Sequence, residues 1–297
     1  MLNPATSPEV VRSRAQGLLL GLALGEAAQS RRPDPTLRLT SQAVALAQAL
    51  LVQGRPEPAD LLSRWLALSA ASPERPGAIT GEALRLFERG IPASELARAA
   101  AGMAPGRSGD SPLSRCLPIA IACHGSGGTL RAWVQRCTAA THAEPLSQLA
   151  AIAAAMLGRD LLTRTLDDCL PRVAQALREE SPESFIAILH APRPGMGTPD
   201  GDDAQGVLAA SIQAVCEGRD WVEAVAIAAS RGVPDDTAPA LTGALAGARW
   251  GLEALPEVEL QQLPPALRHQ LQQLALALLS LEPARETLPS APARGSS

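Results

Sequence analysis

The apolar positions of the chain recur at helical spacing between short polar or proline-rich turns, which predicts a succession of helices. The first covers about residues 10–28, and the second follows a loop and ends at Gly54. The segment 112–123 is predicted to be a buried helix that Pro118 interrupts. Further helices are expected at about 59–71, 81–89, 129–140, 146–158, 160–178, 182–190, 220–230 and 237–250.

Polar residues at the ends of these segments predict where the helices begin. Thr40 or Ser41 is expected to cap the second helix, and Thr129 the helix that runs to about residue 140. Asp220 and Glu223 have the spacing of a capping box.

Two glycine-rich stretches are predicted loops, residues 101–110 and residues 191–206. The second contains four glycines and three prolines, and connections of this length in compact domains are often functional. Its acids, Asp200, Asp202 and Asp203, either form a metal site or belong to a solvated turn with a helix cap. The second interpretation is the more common one.

Two predicted helices carry glycine at every fourth residue: Gly17, Gly21 and Gly25 in one, Gly243, Gly247 and Gly251 in the other. Each glycine costs a helix about 1 kcal/mol relative to alanine, so these bare faces indicate a close approach of two backbones. We expect the two helices to pack against each other. The apolar run 17–25 is also shorter than the roughly 20 residues that a membrane span needs, so no membrane contact is predicted.

Composition favours helices and narrows the possible partners. Hydrophobic residues make up 46% of the 297 and aromatic residues 2%, so the core consists of alanine, leucine and valine, which suits an all-α fold. The net charge is −4 and no long basic run occurs, so nucleic acid is not expected as a partner. Five cysteines without a CxxC pair indicate no disulfide framework or zinc site, and fit a cytoplasmic protein.

Four segments follow one another along the chain: GLLLGLALGEAA (17–28), SRCLPIAIA (114–122), the Thr141-His142 turn and DDTAPALTGALAGARWGLEALP (235–256). In this order they resemble the ADP-ribosylglycohydrolase family, which includes the dinitrogenase reductase-activating glycohydrolases. Arg115 and Pro118 match positions of the second segment in that family, and the similarity extends from about residue 14 to 280.

The resemblance implies a compact single-domain multi-helix bundle over residues 9–281, between a loose N-terminus (1–8) and a disordered tail (282–297). Family members hold two magnesium or manganese ions and cleave the N- or O-glycosidic bond that links ADP-ribose to protein.

The metal motifs are where this sequence departs from the family. Residues 40–43 read Thr-Ser-Gln-Ala in place of Thr-Asp-Asp-Thr, and Pro234 replaces an aspartate of the C-terminal motif. Thr40, Asp236 and Thr237 remain as a degenerate two-metal site. Two close divalent ions need several carboxylates, so no metal is expected to bind with high affinity. Taken without the family, Asp236 and Thr237 would be a helix N-cap.

Other site residues follow from the same comparison. The catalytic candidates are Glu26 and Asp235, and the candidate ligand-binding residues are Gly201, Asp202 and Gly232. Relatives carry an aromatic residue where this chain reads Gly201-Asp202-Asp203, so a stacking partner for ADP-ribose is missing.

Two further residues are interpreted as structural. Arg115 is expected to pair with a buried carboxylate or a carbonyl, and His142 to serve the fold.

The predicted function is that of an ADP-ribosylglycohydrolase-like protein with weak or no hydrolase activity that binds an ADP-ribose-like ligand or a protein partner. One alternative is an active hydrolase of ADP-ribosyl bonds with a rewired magnesium or manganese site. A second is a purely regulatory or structural interaction protein.

Overall fold

Helices form nearly all of the regular structure in the computed structural model, which describes residues 7–29, 37–71, 76–103, 109–190, 203–231 and 236–283. No strand is present within those ranges, so the all-α prediction is confirmed. The described part of the chain forms sixteen α-helices and one 3₁₀ turn, Leu252–Ala254. In chain order the helices are α1 (Pro8–Gln29), α2 (Arg38–Gln53), α3 (Pro58–Ala71), α4 (Ala78–Glu88), α5 (Ala93–Met103), α6 (Ser111–Arg115), α7 (Leu117–Ala122), α8 (Gly127–Ala139), α9 (Pro145–Leu161), α10 (Leu166–Leu177), α11 (Glu183–Leu189), α12 (Ala204–Glu217), α13 (Trp221–Ser230), α14 (Thr237–Trp250), α15 (Glu257–Gln262) and α16 (Pro265–Leu279).

Helices α1 and α14 cross with their backbones in close contact, which confirms the prediction from the glycine pattern. A Cβ atom added to Gly21 would lie 2.1 Å from the carbonyl oxygen of Gly243. At Gly17 the added atom would lie 2.3 Å from the oxygen of Gly247. The pairs run in opposite directions along the two helices. The C-terminal end of α1 therefore lies beside the N-terminal end of α14.

The last glycine of the second series has a different role from the other two. Gly251 ends α14 with a φ of +89°, a conformation that favours glycine, instead of continuing the helix. Gly54 ends α2, as the sequence predicts, in the left-handed helical region with a φ of +71°.

The segment 112–123 is fully buried, as expected, and forms α6 and α7. The break falls at Cys116, because Pro118 stands in the first turn of α7, where proline costs no hydrogen bond. The five cysteines are free thiols, and four of them are buried.

Some helix boundaries differ from the prediction. Helix α8 begins after Ser126, so Thr129 lies within its first turn and is not the cap. Helix α5 was not predicted at all, and its end overlaps the expected loop 101–110. Asp220 caps α13 as predicted, by accepting a hydrogen bond of 2.8 Å from the amide of Glu223.

Among the described helices, none combines the length and the apolar character that crossing a membrane requires. Helix α1 starts at Pro8, within the segment 1–8 that was predicted to be loose. Most of the predicted disordered tail, residues 284–297, lies outside the described residues.

Candidate functional site

Three helix ends meet where the resemblance places the family's metal site: the C-terminal end of α1, the N-terminal end of α2 and the N-terminal end of α14. They carry Glu26, Thr40 and Asp236 respectively. The antiparallel glycine contact of α1 with α14 sets the relation between two of these ends, because Gly25 lies against the backbone of Pro239. The crossing and the candidate site are thus one structural unit.

Glu26 is 3% exposed, and its carboxylate binds the start of α2. One oxygen accepts the amide hydrogen of Leu39 at 2.7 Å. The other accepts the amide hydrogen of Thr40 at 2.8 Å and its hydroxyl hydrogen at 2.7 Å. Burial raises the pKa of Glu26, and the hydrogen bonds from Thr40 and Leu39 together with the charge of Arg38 oppose that rise.

Through these contacts Glu26, a residue of α1, caps the N-terminal end of α2. Leu37, at the local cap position, has no side chain that could do this. The prediction that Thr40 or Ser41 caps the helix is therefore wrong: α2 begins at Arg38, and Thr40 lies inside its first turn.

Asp236 occupies the N-cap position of α14, but its side chain forms no cap hydrogen bond, so the interpretation as a side-chain cap is wrong. One carboxylate oxygen instead accepts a hydrogen bond from Nη2 of Arg38 at 2.8 Å. The side chain of Arg38 is 11% exposed and that of Asp236 25% exposed. The other terminal nitrogen of Arg38 lies 3.5 Å from the hydroxyl of Ser111.

The remaining metal candidate, Thr237, is fully buried, and its hydroxyl oxygen has no hydrogen-bond partner. Within the described ranges, no three His, Cys, Asp or Glu side chains are grouped so that they could hold a metal ion. Glu26 is engaged by α2 and Asp236 by Arg38, so a divalent ion at either carboxylate would compete with these partners.

Several predicted site residues lie outside the described residues, namely Gly201, Asp202, Gly232, Asp235 and the loop acid Asp200. Asp203 is described, and its carboxylate caps α12 by accepting the amide hydrogen of Gly206 at 2.7 Å. For this one acid of the loop, the interpretation as a helix cap is confirmed.

A second buried group lies next to these helix ends. The Arg115 side chain is fully buried, and its guanidinium carbon stacks 4.3 Å from the ring centre of Trp65. It donates hydrogen bonds to the hydroxyls of Thr80, at 3.3 Å, and Thr141, while its Nε has no partner. The expectation that Arg115 binds a carboxylate or a carbonyl is wrong, because hydroxyls and a ring take that place.

Thr141 connects Arg115 to His142. Its hydroxyl accepts from Arg115 and lies 2.7 Å from Nδ1 of His142, so its own hydrogen can point to that nitrogen. Burial, with a smaller contribution from the charge of Arg115, holds the pKa of His142 well below its usual value. Burial therefore favours the neutral form of the ring.

Arg38 is the residue of this region that the sequence did not identify. It lies in the predicted loop before α2 and is separated from Asp236 by 198 positions, so no local pattern links the two. Two bulky apolar neighbours, Leu37 and Leu39, gave no sign that the arginine between them is inside the site.

Three comparisons relate the chain to known proteins. The model of the ADP-ribosylglycohydrolase family matches residues 7–287. The ADP-ribosyl-[dinitrogen reductase] glycohydrolase of Rhodospirillum rubrum is 24% identical, over 93% of this chain and 98% of that protein. A solved structure described as an ADP-ribosylglycohydrolase-related protein complex superposes with a TM-score of 0.72 at 28% identity, and covers 92% of this chain and 99% of its own.

Proposed function

Because this chain belongs to the ADP-ribosylglycohydrolase family, we propose that it binds an ADP-ribose-like ligand and hydrolyses ADP-ribosyl bonds weakly or not at all. The Rhodospirillum rubrum relative is named for the removal of ADP-ribose from a protein. For this chain we expect binding of an ADP-ribose-like ligand without the metal-dependent hydrolysis.

The observation that carries the proposal is that the protein itself engages both described acids of the site. A divalent ion at Glu26 would compete for the carboxylate with two backbone amides and a hydroxyl, and displacing them would leave the start of α2 uncapped. Leaving a buried donor without a partner costs about 1–3 kcal/mol. An ion at Asp236 would meet the positive charge of Arg38.

Loss of the metals removes the main electrostatic contribution to hydrolysis. Preorganised positive charge at the reacting bond commonly supplies the largest part of the rate enhancement in enzymes of this kind. Ligand binding through hydrogen bonds and shape complementarity depends less on the metal ions than hydrolysis does. Binding can therefore persist when turnover is lost.

The test measures binding and turnover on the same protein. We expect ADP-ribose to raise the melting temperature in the presence of EDTA, while an ADP-ribosylated peptide is cleaved weakly or not at all with or without Mn²⁺. Absence of any response to ADP-ribose would overturn the binding part and support a protein partner. Turnover that Asp236→Ala abolishes would overturn the inactive part and support a rewired active hydrolase.

A further inference from the structure

We propose that the guanidinium of Arg38 is the resident cation of this site and takes the electrostatic place of a divalent metal ion. The inference rests on the proposed function, since it explains how a member of this family could keep the site intact without metals. Its basis is the position of Arg38 among the three helix ends.

The first argument is geometric. Arg38 is the first residue of α2 and directly precedes Leu39 and Thr40, whose amides Glu26 binds. Its guanidinium lies 2.8 Å from the carboxylate at the start of α14. A single side chain therefore connects α2 to α14, next to the residues that the resemblance assigned to the metal. With 11% of its side chain exposed, the guanidinium lies within the site and not on the surface above it.

The second argument concerns charge. Arg38 affects both carboxylates, since it pairs with Asp236 and its charge opposes the effect of burial on Glu26. Arg115 also lies within electrostatic range of Arg38. A divalent cation added here would meet two guanidinium groups, which makes its binding unfavourable while Arg38 stays in place.

The third argument is chemical. A guanidinium neutralises carboxylates and donates hydrogen bonds in a fixed plane, as a metal ion neutralises and orients its ligands. It does not act as a Lewis acid and does not generate hydroxide from a bound water, as a divalent ion can. An arginine in this position therefore preserves the structure of the helix ends without supplying the step that cleaves the glycosidic bond.

The test removes the guanidinium and asks whether a divalent ion can replace it. We compare the wild type, Arg38→Ala and Arg231→Ala in thermal unfolding with 10 mM MnCl₂, against NaCl of equal ionic strength. Arg231 is a matched control because it pairs with Glu217 at 2.8 Å, with side-chain exposures of 19% and 26%. Removing it takes the cation from the carboxylate of Glu217 at the C-terminal end of α12, which is not one of the three helix ends.

The expected result is that Mn²⁺ raises the melting temperature of Arg38→Ala by about 2 °C or more, while the wild type and Arg231→Ala do not respond. Equal responses of the two variants would overturn the inference, since any freed carboxylate would then suffice. The inference would also be overturned if Mn²⁺ changed the melting temperature of neither Arg38→Ala nor the wild type. A wild type that is itself stabilised by Mn²⁺ would instead overturn the proposed loss of metal binding.

If Arg38→Ala does not fold, the same measurement is made on Arg38→Lys. Lysine keeps a positive charge, so this variant should remain insensitive to Mn²⁺. A Mn²⁺-dependent stabilisation of Arg38→Lys would overturn the claim that the charge at this position excludes the metal.

Discussion

Replacing Gly21 with alanine should destabilise the protein through the contact between α1 and α14. The new Cβ would lie 2.1 Å from the carbonyl oxygen of Gly243, whereas ordinary contacts begin at 3.4 Å. The helices would have to move apart by about 1 Å or more, since backbone atoms cannot rotate away as a side chain can. That movement would also disturb the 2.9 Å hydrogen bond from Trp221 Nε1 to the same oxygen.

The magnitude follows from two opposing effects. Overpacking a well-packed core costs about 1–3 kcal/mol, and a rigid backbone contact belongs at the upper end of that range. Alanine gains about 1 kcal/mol over glycine in helix propensity. We therefore expect Gly21→Ala to lower the free energy of unfolding by about 2 kcal/mol.

Urea unfolding followed by circular dichroism measures this difference. Gly102→Ala in α5 is the control, because an added Cβ there meets no atom within 4 Å. It should leave the stability unchanged or raise it slightly. A Gly21→Ala variant as stable as the wild type, beside a neutral control, would refute the close-packing account.

Three further predictions concern titratable groups. Burial raises the pKa of Glu26, so the stability that this group contributes is complete at low pH and is lost as pH rises through the raised value. Glu26→Gln cannot ionise, so the free energy of unfolding measured in urea should depend less on pH in this range. Burial lowers the pKa of His142, so the protein should lose stability as pH falls below 6.5, the ordinary value, and His142→Asn should lose less. Burial raises the pKa of Cys123 and Cys169 to about 12 and that of Cys216 to about 11, so a thiol reagent at neutral pH should label these cysteines only slowly until urea unfolds the chain.

Much of the fold could be predicted because its signals are local. Glycine at every fourth residue is costly in a helix, so its repetition in two places indicated the contact that the structure shows between Gly21 and Gly243. The small and aliphatic composition likewise indicated packed helices. Helix α5 was missed because its end overlaps a glycine-rich stretch that was interpreted as a loop.

The candidate site was less predictable because its contacts join distant positions. Glu26 was selected as an acid, and the structure shows that its carboxylate caps a different helix 14 residues further along the chain. Arg38 pairs with an aspartate 198 residues away, and Arg115 satisfies its charge with hydroxyls and a ring. Such partners are set by the packing of helix ends, which sequence spacing does not record.

The most direct test of the central claim is a calorimetric titration of the wild-type protein with MnCl₂. If Arg38 and α2 already engage the described acids of the site, the titration should show no binding in the micromolar range. Two strong sites per chain would contradict the account, since they would require Glu26 and Asp236 to leave the partners that the structure gives them.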